Sequence, residues 1–83
     1  MNTNKLINII DAAIAANENG KHFRLADLAG DGTGAWSAKI EGDFEDFDGV
    51  AVLEGIEAAL VKAGVARKTT FDVRDRMTGW IAF

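Results

Sequence analysis

The chain has 83 residues, no cysteine, a single histidine and a formal net charge of −4. At this length folding buries roughly 60–65% of the extended chain's surface, room for one core, so a single domain over residues 1–83 is expected. An apolar fraction of 48% beside 27% charged residues excludes wholesale disorder, and the lack of cysteine excludes a disulfide scaffold and points to the cytoplasm.

No apolar run approaches the roughly 20 residues that span a bilayer. The first residues also lack the basic stretch and continuous apolar segment of a signal peptide. A soluble monomer or homodimer without membrane contact is the expectation.

In the first helix Leu6, Ile9, Ile10, Ala13 and Ile14 recur at helical spacing, with Lys5, Asn8 and Asp11 opposite them. Thr3 or a neighbouring asparagine is its candidate cap, and Asn17-Glu18-Asn19-Gly20 its exit.

From His22 to Phe44 the alternation of Phe23 and Leu25, and then of Trp36, Ala38 and Ile40, predicts a β-hairpin. The Gly30-Asp31-Gly32-Thr33-Gly34 stretch is its turn. Leu25-Ala26-Asp27-Leu28-Ala29 fits one helical turn as well as a strand.

A second helix is expected from Gly49 to about Ala63, capped by Asp48 and closed by Gly64, with Phe47 placed to pack against Val52. Leu53, Ile56, Leu60 and Ala63 form its apolar stripe, and Gly55 with Ala59 suggests a close approach by another element.

A second hairpin follows. Thr69, Phe71 and Val73 share one face, Lys68, Thr70, Asp72 and Arg74 the other, and Arg76-Met77-Thr78-Gly79 turns the chain into Trp80-Ile81-Ala82-Phe83. That last strand is apolar on both faces, which suits a central position. The whole reads as an α+β, two-layer domain of order α-β-β-α-β-β, an antiparallel sheet with helices on one face.

The inventory argues against an enzyme. Ser37 is the only serine and His22 the only histidine, so a Ser-His-acid site would need both. No register of the acidic stretch matches a calcium loop. With Gly49 as the sixth position Phe44 falls first and Gly55 twelfth; with Asp43 first, Asp48 falls where glycine is required. The glycine-rich turn lacks the Gly-Lys-Ser/Thr ending of a phosphate cradle, and zinc lacks ligands. Neither cofactor nor metal is expected.

Charge is unevenly distributed instead. From Glu41 to Glu57 there are seven carboxylates and no lysine or arginine, whereas residues 61–83 hold five basic side chains against two acidic ones. Like charges crowded together repel, a stability cost that interspersed lysines would avoid. The acidic stretch is therefore the candidate docking site for a protein with a basic surface, through Asp43, Phe44, Glu45, Asp46, Phe47, Glu54 and Glu57. The phenylalanines serve as apolar anchors if they are exposed.

Small size, acidity, absence of cysteine and lack of catalytic groups make the chain resemble the small inhibitors that mobile elements direct against host defences, anti-CRISPR proteins among them. That resemblance implies a target in a nucleic-acid-handling complex. An alternative lies in residues 49–83, a helix followed by a basic hairpin, which is similar to the end of a winged helix. It implies nucleic-acid binding by Arg67, Lys68, Arg74 and Arg76, although the helix that would enter the groove carries Glu54 and Glu57. A third reading is self-association through an exposed hairpin edge.

Overall fold

The computed structural model describes residues 2–83. Helix α1 covers Thr3–Ala16, strands β1 and β2 cover Phe23–Gly30 and Trp36–Gly42, helix α2 covers Gly49–Lys62, and strands β3 and β4 cover Thr70–Asp75 and Thr78–Ala82. The element order is the one expected, with a 3₁₀ turn at Gly20–His22 between α1 and β1.

All four strands join one antiparallel sheet in the order β1-β2-β4-β3. The two hairpins meet through β2 and β4, so the strand holding Trp80 and Ile81 lies inside the sheet. Ala38, Ile40 and Ile81 face the helices and are fully buried with Leu6 and Ile10 of α1 and Val52, Leu53, Ile56 and Leu60 of α2. The opposite face, with Arg24, Ser37, Lys39, Glu41, Asp72 and Trp80, carries no helix.

Local chemistry explains the boundaries. The side chain of Asn2 accepts from the Lys5 N–H at 3.1 Å and caps α1, and Asp48 accepts from the Ala51 N–H at 3.0 Å and caps α2. Helix α2 ends with the Val65 N–H donating to the Leu60 carbonyl at 3.2 Å and the Gly64 N–H to the Val61 carbonyl at 3.0 Å. Gly64 sits at φ +74°, the left-handed conformation this closure requires.

The ambiguous Leu25–Ala29 piece is strand. Ala26 is an extra residue in a β-bulge, after which Leu28 returns to the core side. Leu25 and Leu28 pair with the buried Ile40 and Ala38, so a bulge mimics the three-residue spacing of a helix.

One local expectation is corrected. Nothing lies within 4 Å of where a Cβ on Gly55 would stand, so no element packs tightly there. The ring of Phe47 packs against the core that includes Val52 and also stacks on His22, with centroids 3.5 Å apart and planes 12° from parallel.

Candidate functional site: an acidic turn before the second helix

Residues 43–48 form a turn that the fold grips from two sides. The Asp43 N–H donates to the His22 carbonyl at 3.2 Å, and the Phe44 N–H to the Arg76 carbonyl at 2.8 Å. Within the turn, Asp43 Oδ1 accepts from the Glu45 N–H at 3.1 Å and the Asp46 N–H at 2.9 Å. The carboxylate thus meets backbone donors that a tight turn would otherwise leave unpaired.

Both phenylalanines anchor the turn inward. Phe44 meets Phe23 edge-on at 4.9 Å and lies over Gly49 and Gly79; a Cβ on Gly79 would stand 2.8 Å from the Phe44 ring. Phe47 is held against His22. Both rings are half-buried against the core, so the turn presents carboxylates rather than apolar side chains.

The acids divide by task. Glu41 lies on the open sheet face, 2.6 Å from Arg24 and 3.5 Å from Lys39. Asp43 holds the turn and Asp48 caps α2. Glu45, Asp46 and Glu54 are exposed; Glu45 comes within 3.9 Å of Arg76, and Asp46 and Glu54 make no ion pair among the described residues. Glu57 is half-buried, and its Oε2 is shielded from solvent without accepting a hydrogen bond.

The basic residues of the C-terminal half do not converge. Arg74 bonds Asp72 at 2.7 Å and lies over the Trp80 ring at 6.0 Å, while Arg76 sits beside Glu45. Arg67 and Lys68 precede β3 and Arg76 follows it, so the whole six-residue strand, about 20 Å long at strand rise, lies between them. The hairpin itself is part of the sheet, bonded through β4 to β2.

Ser37 and His22 are separated as well. His22 lies beside Gly42 at one end of β2, and Ser37 is near the other end, about 17 Å away at strand rise. At the glycine-rich tip, the Thr33 N–H and hydroxyl donate to Asp31 Oδ1 at 2.8 and 2.6 Å, and Gly32 and Gly34 adopt φ +83° and +99°. These donors hold the Asp31 carboxyl below the ordinary aspartate range.

Sequence reasoning did not find the Arg24–Glu41–Lys39 and Asp72–Arg74–Trp80 groupings. The period-two placement of Lys39 and Glu41 signals the first. The second needs the β3–β4 register, which sets Asp72 against Trp80. No family model matches the chain, nor does any curated protein or solved structure. Among the described residues no helix is long and apolar enough to cross a membrane.

Proposed function

We propose that this chain is a non-catalytic binding module that docks on a basic protein surface through Glu45, Asp46 and Glu54. The observation that carries this reading is the fixed geometry of the turn. Asp43, the Arg76 carbonyl and the rings of Phe44 and Phe47 hold its backbone, while the carboxylates of Glu45 and Asp46 stay in solvent. A preorganised loop loses less entropy on binding, and clustered charge of one sign accelerates encounter with a surface of the other. Glu54 adds an exposed carboxylate in the second turn of α2.

The partner class follows from the sign of the charge. Surfaces rich in lysine and arginine are those that hold phosphates, and a rigid row of carboxylates on such a surface excludes the nucleic acid from it. An inhibitor of a nucleic-acid-handling complex is the form of the proposal that fits the small size and acidity of the chain.

The test compares the wild-type chain with a Glu45→Lys/Asp46→Lys/Glu54→Lys variant as baits in nuclease-treated lysate of the source cells. One defined protein should be retained by the wild type, released by raised salt, and absent with the variant. Equal recovery of that protein by both baits overturns the proposal. The three positions are exposed, so the circular dichroism of the variant should match the wild type.

A further inference from the structure

Strand β3 is the barer of the two sheet edges. The other edge, β1, runs beside α1, whose Thr3, Ile7 and Asp11 share a groove with Ala26, Asp27 and Leu28. Along β3, Thr70, Asp72, Arg74 and Asp75 are exposed, and Val73 is 38% exposed although it lies on the helix side opposite Gly79. An edge of this kind offers a row of unpaired backbone donors and acceptors to another strand.

We propose that the strand it accepts is β3 of a second copy, antiparallel and centred on Val73. The argument is the order of charges. Asp72 and Arg74 lie on the same open face, 2.7 Å apart and two residues from one another. A two-fold axis through Val73 sets Asp72 opposite Arg74 of the second copy and Arg74 opposite its Asp72, and brings the two exposed valines together on the helix side.

Neighbouring registers fail. Centring the axis on residue 72 places aspartate against aspartate, and centring it on residue 74 places arginine against arginine, each a destabilising cross-strand pair. Intermediate slips set an open-face residue against a helix-face residue or, past the bulge, Asp72 against Asp75. The same alternation discourages strands that lack an acid and a base in this order, a condition its own copy meets.

The pairing is short: Arg74 is the extra residue of the bulge between Val73 and Asp75, so regular backbone pairing ends there and the contact of Asp72 with Arg74 is made by side chains on the open face. Its contact falls below the roughly 800 Å² per partner of a standard stable interface, so the dimer belongs to high protein concentration. The antiparallel arrangement sends the two Arg76–Met77 turns to opposite ends. The acidic turns bonded to them follow, which makes the dimer a bivalent ligand.

Sedimentation equilibrium from low micromolar to millimolar concentration tests this. The wild-type mass should move from one chain towards two. The single variants Asp72→Arg and Arg74→Asp should each bind themselves at least about tenfold more weakly. An equimolar mixture of the two variants should recover the dimer, because two arginines of one chain then face two aspartates of the other. A wild type that stays a single chain throughout overturns the proposal and leaves the edge to some other extended segment. Variants that dimerise like the wild type, or a mixture that does not recover, overturn it as well. Both positions are exposed, and circular dichroism confirms that each variant is folded.

Discussion

The Phe44 N–H donates to the Arg76 carbonyl at 2.8 Å, and this bond joins the most acidic segment of the chain to the turn of its most basic hairpin. The charge polarity read along the sequence therefore folds back on itself. Arg76 stands 3.9 Å from Glu45, with both side chains more than three-fifths exposed, at 75% and 63%. Exposed pairs of this kind contribute little and are screened by salt.

Arg76→Ala follows from that geometry. The folding free energy should change by less than about 0.5 kcal/mol. Affinity for a basic partner should rise, because the substitution removes a cation from the docking face. Urea denaturation and a binding titration at fixed salt read the two effects separately. A marked loss of stability would show that the backbone bond depends on the Arg76 side chain.

Phe44 bears on stability more than the carboxylates on either side of it. It fills space between Phe23, Gly49 and Gly79, and replacement by alanine leaves a void that the glycines cannot close. Phe44→Ala should cost about 3 kcal/mol in urea denaturation, the lower part of the range for buried aromatic truncations because the ring is only half-buried. A cost under about 1 kcal/mol, with partner binding lost, would instead make the ring a docking anchor.

Periodicity and caps made most of the fold legible. Leu6, Ile10 and Ile14 mark α1, Asp48 and Gly64 bracket α2, and the two-sided apolar character of Trp80 and Ile81 places β4 inside the sheet. Leu25–Ala29 was ambiguous because an inserted residue changes period two into an apparent period three. The site was less legible. Whether Phe44 points in or out depends on room left by Gly79, thirty-five positions later, and no local pattern encodes that. The sequence separation of acids and bases likewise said nothing of Arg76 lying beside Glu45.

Asp31 supplies the pH dependence. Its carboxylate accepts from the hydroxyl and N–H of Thr33, and those bonds lower its pKa in the folded chain. A depressed acid stabilises the folded form above its unfolded pKa, about 3.9, and loses that contribution as the pH falls through the lower folded value. In an NMR titration the midpoint of the Thr33 amide shift should lie below the ordinary aspartate value. Asp31→Asn should abolish that movement. A Thr33 amide titrating at the ordinary aspartate value would contradict the hydrogen-bonded tip.

Glu57 is the one acid whose place in the fold is unfavourable. Its Oε2 is buried without a hydrogen bond from the protein, whereas Glu54, one turn earlier, lies in solvent. A shielded oxygen without a donor costs about 1 kcal/mol or more, and an apolar side chain of similar length removes that cost. Glu57→Met should therefore raise the stability read by urea denaturation by about 1 kcal/mol, through a higher midpoint at an unchanged slope, while Glu54→Met should be neutral. Binding to the basic partner discriminates what the carboxylate is for. If the stabilised variant binds normally, Glu57 is a flaw in packing. If it binds more weakly while folding more tightly, the unfavourable carboxylate belongs to the docking face, where function and stability oppose one another.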